Sequence, residues 1–318
     1  MSSLKEIKSR ISSVKNTLKI TSAMKMVASA KLHKAQMAIA GKLPYEQKLH
    51  HILAEILQDD DLQKALHDRL GFGNPHGLLQ PPDPLFLILQ DVSENELPSK
   101  DRVSRVAILA ISSNSSMCGA FNANILKKFD ATINTLLDSG YSKEDIDIYS
   151  VGRKITDHAR KAGLQIIEDH SDIAGKPDYE AASDLAHALV DSFADGTVSQ
   201  VILIYSHFAT TSSQPIVREN YLPLALHDYD YTDEQVDYIL EPDPLDLVKH
   251  LLPKVLRLKI YTVLLDAAAA EHAARTVAMQ IASDNANDLI SELTLAYNKG
   301  RQQAITAEIL DLVGGTMA

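Results

Sequence analysis

Several residue types that define other classes of protein are rare or missing in this sequence. The chain has no tryptophan, only 5% of its residues are aromatic, and alanine and leucine are abundant instead. This balance favours helices, because alanine and leucine lose little conformational freedom on entering one. A single cysteine, Cys118, excludes an intrachain disulfide and fits a reducing compartment.

Long hydrophobic runs are also missing. No stretch reaches the roughly 18 uninterrupted apolar residues that a membrane span needs, so we expect no direct membrane span. The N-terminus lacks the apolar core of a secretory signal peptide, and we expect it to be mature sequence. A chain of 318 residues, 45% hydrophobic and 23% charged, has the length and composition of one large or two ordinary globular domains.

Charge is distributed unevenly along the chain. Residues 1–42 contain nine Lys or Arg and one acid, Glu6, for a net charge of +8, whereas the remaining residues carry −19. A basic segment in an otherwise acidic chain indicates an acidic partner, and a solvated helix face is the alternative.

The N-terminal segment, residues 1–58, has the apolar spacing of a coiled coil. Nine of eleven positions at alternating three- and four-residue steps are apolar. These positions are Leu4, Ile7, Ile11, Val14, Leu18, Thr21, Lys25, Ala28, Leu32, Ala35 and Ile39. Pro44 predicts a bend or an interruption, after which the pattern resumes to about Leu57. At roughly 1.5 Å per residue the segment would be about 80 Å long.

The middle of the chain divides into two parts. Residues 59–102 contain turn-rich runs such as "GFGNPHG" and "QPPDP", and we interpret them as a loop-rich insertion. In residues 103–240, the predicted strands "RVAILAIS", "IDIYSVG", "LQIIE" and "QVILIYSHF" alternate with helical patterns, and "PIVRENYLPL" is a predicted edge strand. This alternation favours a parallel or mixed sheet with covering helices, a Rossmann-like α/β domain.

Residues 241–318 predict a second very long helix. Pro244 suits its first position, and Pro253 predicts a kink in the early turns. Met279, Ala282, Ala286, Leu289, Leu293 and Ala296 hold the three–four spacing. The predicted fold is therefore α/β with a long antiparallel coiled coil, formed by the N- and C-terminal helices, around a central Rossmann-like domain. Coiled-coil homodimerisation is the structural alternative.

We predict no catalytic, cofactor-binding or metal site. The sequence has no Walker loop, and "GFG" lacks the third glycine of a dinucleotide-binding turn. The histidines lack zinc-ligand spacing, and the acidic stretch "HDYDYTDEQVDYILEPDPLD" lacks the glycine and spacing of an EF-hand. Cys118, beside Gly119, has no assignable His or acid, so we expect a buried small residue at a tight turn.

Both ends of the chain resemble a known family. "IKSRISSVKNTLKITSAMKMVASAKLHKAQ" and "EHAARTVAMQIASDNANDLISELTLAYNKGRQQAITAEILDLVGG" are similar to the N- and C-terminal motifs of the gamma subunit of F-type ATP synthases. "SSNSSMCGAFNANI" occupies the place of that family's Cys-Gly turn. Where the family commonly has Asp-Arg-Gly before Cys-Gly, this chain has Asn114, Ser115, Ser116 and Met117.

The resemblance implies a non-catalytic rotor, the central shaft that couples proton flow to ATP synthesis or hydrolysis. The terminal helices would fill the cavity of a ring of three alpha and three beta subunits, where the nucleotide chemistry occurs. The middle domain would contact the epsilon subunit and the membrane ring of c subunits. The expected location is the cytoplasmic face of the bacterial inner membrane, as a peripheral subunit, with no cofactor and no nucleic acid partner.

The resemblance also implies five residues that contact the surrounding stator subunits. Met24 and Lys25 match the family's Met-centred motif, and Arg301, Gln302 and Thr306 match its Arg-Gln pair and following Thr. Arg301 suits a directional contact with a carboxylate. Packing of Met24 on the opposite helix and solvation of Arg301 are the structural alternatives.

Two other functions remain open from the residues alone. The alternating middle segment would fit a Rossmann-like nucleotide-dependent enzyme, although GxGxxG is absent. A coiled-coil adaptor could instead bind nucleic acid or an anionic membrane through residues 1–42, with strong salt dependence.

Overall fold

Two long helices, α1 (Leu4–Leu57) and α5 (Pro244–Thr316), frame the chain in the computed structural model, which describes residues 4–57, 88, 105–224 and 244–316. The predicted insertion, 59–102, lies outside the described residues except for Ile88, and so does most of the acidic stretch before α5. α1 has 54 residues and α5 has 73, so their lengths are about 80 and 110 Å. No described helix is long and apolar enough to cross a bilayer.

Both helices continue through a proline. Pro44 lies inside α1 and Pro253 inside α5, so α1 is not interrupted at Pro44, and the predicted helix start at Pro244 is confirmed. A bend at Pro44 and a kink at Pro253 stay predictions. An interior proline costs a helix about 3 kcal/mol. Both prolines are exposed. Buried Leu252 and Val255 flank Pro253, and their packing helps to offset the lost hydrogen bond there, whereas residues 40–45 around Pro44 are all exposed and only Glu46 beyond them is buried.

The two helices pack antiparallel along most of α1, as predicted. Gly300 lies against Leu4, Thr21 Oγ1 lies 2.8 Å from Ser283 Oγ, and Leu32 packs with Ala273. The paired residue numbers sum to about 304 throughout, so the register is constant. All eleven predicted seam positions of α1 are buried or half-buried.

The predicted seam of α5 is only partly right. Met279 and Ala286 are buried as expected, but Leu289 is 43% exposed and Ala296 is also exposed. Of the other predicted positions, Ala282 and Leu293 are half-buried, and the observed seam also passes through Ser283, Ile290, Tyr297 and Gly300. A search for apolar spacing misses this register, because Ser283 is a polar residue at a seam position. Its hydroxyl can be buried because it forms a hydrogen bond with Thr21 across the seam.

A five-stranded sheet forms the central domain. Its strands are β1 (Arg105–Ile111), β2 (Ile146–Val151), β3 (Gln165–Asp169), β4 (Val198–Ser206) and β5 (Ile216–Leu222), in the order β3-β2-β1-β4-β5. All pairs are parallel except β4 with β5. The predicted mixed sheet and its edge strand are therefore confirmed. α2 (Phe121–Asp138), α3 (Arg153–Lys161) and α4 (Tyr179–Ala194) connect the strands.

The sheet is covered on both faces, and the long helices supply part of the cover. Ile108, Ile148 and Ile204 face a core completed by α2 and α3. Alternate residues such as Leu109 and Leu203 face a second core completed by α4, the start of α5 and the end of α1. Burial on both faces explains why the strands read as continuous apolar runs. α5 thus belongs both to this core and to the coiled coil.

The tight part of the seam yields a test of the packing. Ala273 is fully buried against Leu32 and Ala269. Ala273→Leu should lower the free energy of unfolding by about 1–3 kcal/mol, because close-packed helices must separate to admit the larger side chain. Urea denaturation measures the change. Ala296→Leu, at an exposed position of the same helix, should change stability by less than about 0.5 kcal/mol. Equal losses in the two variants would contradict the observed register.

Candidate functional site

The outer surface of the coiled coil carries large apolar side chains that nothing in the described chain covers. On α1, Met26 is 66% exposed, and Ile20 and Val27 are similarly open. On α5, Leu295 is 72% exposed and Ile281 is 55% exposed. Isolated apolar residues are normal on a surface, but repeated ones along a single rod indicate a surface for protein contact.

The last turns of α5 run beyond the described start of α1. Gly300 lies opposite Leu4, and every residue of 301–310 is exposed, as is Leu312. Ile305, Ile309 and Leu312 follow helical spacing and share one face. A single helix of this length gains little stability by itself. The exposed apolar face of this tip therefore suits a surrounding protein surface.

The two predicted contact residues of α1 lie at the edge of the seam. Met24 and Lys25 are both half-buried, and Lys25 Nζ donates a 2.6 Å hydrogen bond to Gln280 Oε1 across the coiled coil. The Gln280 amide in turn donates to Asp284. Lys25 thus has a partner within the chain, and contact between this residue and another subunit stays a prediction.

The three predicted contact residues of α5 lie on the exposed tip. Arg301, Gln302 and Thr306 are exposed, and the Thr306 hydroxyl donates to the Gln302 carbonyl at 2.9 Å. Lys25 pairs with Gln280, which lies 21 residues before Arg301, so about 30 Å separates the two groups along the rod. The five residues therefore form two contact levels and not one site.

The basic N-terminal segment presents its charge to solvent. Of its nine cations only Lys25 is half-buried, and the other eight are exposed. Arg10 lies 3.6 Å from Glu6, but both side chains are more than half exposed, so the pair contributes little. The positive charge of α1 is available to partners.

Directional contacts fix the α/β domain to α5 over five helical turns. The Tyr221 hydroxyl donates to the Leu256 carbonyl at 3.1 Å, and burial raises the pKa of this phenol, which keeps it protonated as a donor. Further along, the Asp266 carboxylate accepts the backbone N–H of Phe208 at 2.9 Å and lies 2.6 Å from His207 Nδ1. These bonds add orientation to the apolar core beneath them.

The strongest of these contacts joins α5 to the turn between β1 and α2. Arg275 pairs with Glu271 at 2.6 Å, and both side chains are about nine-tenths buried. The same guanidinium donates to the Ser116 carbonyl at 2.6 Å and to Ser115 Oγ at 3.0 Å. Ser115 and Ser116, two of the four residues at which the sequence departs from the family pattern, are therefore held by hydrogen bonds to α5.

Cys118 lies directly after this turn and is 1% exposed, as predicted for a structural cysteine. Its sulfur accepts a hydrogen bond from the Asn122 amide at 3.1 Å, and no acid or histidine contacts it among the described residues. On α5, burial lowers the pKa of His272 from its usual value, and the neighbouring Glu271 carboxylate opposes this shift. This histidine therefore packs as a neutral ring at pH 7.

The crevice where open α/β sheets commonly bind nucleotides is closed in this fold. It would lie at the carboxyl ends of the central parallel strands. Here α5 covers that edge through Leu264, Ala267 and Glu271, leaving a cavity of about 10 Å³ beside Ser112. That volume holds at most one water molecule. Among the described residues, no cluster of three or more His, Cys, Asp or Glu is arranged to bind a metal.

The Arg275 contact can be tested by substitution. Arg275→Met should lower the free energy of unfolding by about 3–5 kcal/mol, because it leaves the buried Glu271 carboxylate unpaired. It should also speed maleimide labelling of Cys118, because the turn loses two hydrogen bonds. Arg10→Met removes an exposed pair and should cost less than about 1 kcal/mol, with no change in labelling. Unchanged Cys118 labelling in Arg275→Met would show that the arginine does not hold the turn.

Known proteins match this chain over almost its full length. Residues 3–318 match the model of a family described as ATP synthase. The chain is 46% identical to the ATP synthase gamma chain of Phocaeicola vulgatus, and the match covers 100% of both sequences. It is 47% identical to the ATP synthase gamma chain of Bacteroides fragilis, again over 100% of both.

The fold has a counterpart among solved structures. A chain of the Euglena gracilis mitochondrial ATP synthase matches 99% of this chain and 94% of its own length, with a TM-score of 0.59 and 18% identity. At that identity the likeness concerns the fold alone. Because the family model and the relatives match the chain from end to end, the chain belongs to the ATP synthase gamma-chain family.

Proposed function

We propose that this chain is the rotating central shaft of an F-type ATP synthase. It couples proton flow through a membrane c ring to conformational cycling of catalytic beta subunits, for ATP synthesis or hydrolysis. The observation that carries the proposal is the rod itself, an antiparallel coiled coil whose outer surface and single-helix tip expose apolar side chains. The chain performs no nucleotide chemistry of its own in this role and needs no cofactor.

The geometry suits the transmission of torque. α5 is one uninterrupted helix of 73 residues that runs from the sheet core to the tip. The contacts at Leu256, Asp266 and Arg275 oppose rotation of the α/β domain about that helix. Torque applied to the domain therefore passes into the rod through buried, directional contacts.

The partners follow from the two ends of the rod. Three alpha and three beta subunits surround the coiled coil and its tip, and the exposed cations of α1 between Lys5 and Lys34 face acidic groups on that ring. The epsilon subunit and the c ring bind at the end that carries the α/β domain. The assembly places the chain peripherally, at the cytoplasmic face of the bacterial inner membrane.

The predicted contact residues have distinct parts in this mechanism. Met24 and Lys25 meet the ring at one level, and Arg301, Gln302 and Thr306 meet it about 30 Å further along. Exposed side chains with many rotamers form contacts that break readily as the shaft turns. Deeply interlocked contacts would hold the shaft in one orientation.

Reconstitution tests the proposal directly. When the purified chain is mixed with matching alpha and beta subunits, it should form a stable complex and raise the rate of ATP hydrolysis. Gel filtration and a coupled ATPase assay measure the two effects. A ring that neither binds the chain nor responds to it would overturn the proposal. Strongly salt-dependent binding to DNA or anionic vesicles in its place would favour the adaptor alternative.

A double variant tests the contact residues at the tip. Arg301→Ala with Gln302→Ala should weaken binding to the ring on the order of tenfold, because interfacial arginines often carry a large share of binding energy. The free energy of unfolding should change by less than about 0.5 kcal/mol, because both side chains are exposed. Lys127→Ala with Lys128→Ala, two exposed residues of α2, is the matched control. A large loss of stability in the tip variant would assign those residues a structural part.

A further inference from the structure

A groove of about 420 Å³ lies where α1, α4 and α5 meet, far from the tip. Its walls carry three cations and three tyrosines, and the buried Leu258 forms part of its floor. The cationic and tyrosine side chains of the walls are Lys42, Tyr45, Tyr179, Lys254, Arg257 and Tyr261. The volume lies within the range of pockets that bind small molecules or single peptide side chains.

The cations of the groove have no acidic partner among the described residues. Lys42 and Lys254 take part in no ion pair there, and no described Asp or Glu lines the groove. Within the part of the chain that the structure describes, Arg257 donates only its Nε, to the Pro253 carbonyl at 2.9 Å, and its two terminal nitrogens have no partner. Three cations that share one groove without an acidic partner among the described residues favour an anionic ligand.

The chemistry of the walls favours carboxylates over phosphate. Phosphate sites commonly use free backbone N–H groups at a helix N-terminus. Here Lys42 and Arg257 lie in helix interiors, where these groups are already bonded, and Asp178 caps the start of α4 by accepting from Glu180 and Ala181. The available donors, which are ammonium, phenol and the paired nitrogens of one guanidinium, match a carboxylate as well as a phosphate. The preference for a carboxylate therefore rests on the bonded backbone groups and on the capped start of α4.

The tyrosines add the features of a protein-binding surface. Tyr45 is 57% exposed and Tyr179 is 48% exposed, and the rings of Tyr179 and Tyr261 meet edge to face with centroids 5.4 Å apart. Tyrosine and arginine are the residue types most enriched where binding energy concentrates at interfaces. The walls belong to three packed helices, so the groove is formed before a partner arrives.

We propose that this groove is a docking site for an acidic segment of a partner protein. Arg257 binds an Asp or Glu carboxylate through its two terminal nitrogens, Lys42 and Lys254 neutralise further acids, and the tyrosines enclose an apolar or aromatic side chain. Lys42 lies 38 residues from Leu4, about 57 Å along α1. The groove therefore engages a different partner surface from the tip. Assigning the partner to the ATP synthase complex rests on the proposed function.

A peptide titration tests the groove without reference to that assignment. The probe is a fluorescent nonapeptide of alternating glutamate and tyrosine, with a glutamine-for-glutamate version as its control. Binding to the full chain should be saturable, should weaken with salt, and should fall at least tenfold in Lys42→Glu/Lys254→Glu/Arg257→Glu. Lys48→Glu/Lys249→Glu/Lys161→Glu makes the same charge change at exposed positions outside the groove. This control should bind as the wild type does.

A second measurement names the partner. The chain, bound to its alpha and beta ring, is titrated with purified epsilon subunit and with detergent-solubilised c ring. The variant Lys42→Glu/Lys254→Glu/Arg257→Glu should bind one of these two partners at least tenfold more weakly, while the ring should stimulate ATP hydrolysis as it does with the wild type. If the ring itself fails to bind the wild-type chain, the proposed function fails, and the peptide titration still decides the groove.

Three results would overturn the docking site. The first is that the acidic peptide shows no saturable binding at concentrations up to about 1 mM; a dissociation constant of 1 mM corresponds to a binding free energy of roughly −4 kcal/mol. The second is equal loss of binding in the groove variant and the control variant, which would show a response to net charge alone. The third is groove-dependent binding of phosphatidylglycerol vesicles without groove-dependent peptide binding, which would assign the cations to a lipid surface.

Discussion

One helix is shared by both halves of the molecule, and the rest of the structure depends on that sharing. α5 contributes Val255 and Ile260 to the sheet core and Ala273 and Ala286 to the coiled coil. Protein interiors are close-packed and stiff, so a displacement of the sheet cannot be absorbed within such a core. Within the described residues, no hinge separates the domain from the rod. A single covalent element therefore carries the mechanical connection that a two-domain protein would assign to a linker.

The coiled coil could be predicted from the sequence because its apolar residues recur at a regular spacing. Eleven positions of α1 repeat the same spacing, and a few polar exceptions such as Thr21 do not obscure it. The seam of α5 was harder to place, because this helix is rich in alanine on several faces and its seam includes Ser283. Only the partner helix decides which alanines are buried, and Ala296 was placed wrongly for that reason. At Pro44 the sequence allowed an interruption or a bend, and α1 continues through this residue without an interruption.

The contacts of Arg275 with Ser115 and Ser116, which join the α/β domain to α5, were not predictable from the sequence alone. Arg275 lies in a helical pattern where it reads as one more solvated cation, and its partners Ser115 and Ser116 are about 160 residues away. No periodicity links two such segments. Cys118 was correctly expected to be buried, and it is 1% exposed; that it takes no part in chemistry stays a prediction. The contacts of Arg275 could be identified only from the fold, which brings the Glu271–Arg275 segment of α5 against the turn that follows β1.

The positive charge of the N-terminal segment is spread along the length of α1, which changes how it can act on a partner. Its cations extend over about 57 Å, several times the screening length of roughly 8 Å at physiological salt. They cannot act on one partner as a single patch, so the basic arm divides into separate surfaces. In the proposed rotor, contacts with a stationary ring must release at every step, which suits exposed and flexible side chains. Subunits that turn with the shaft can be held firmly, which suits a concave groove of cations and tyrosines at the other end.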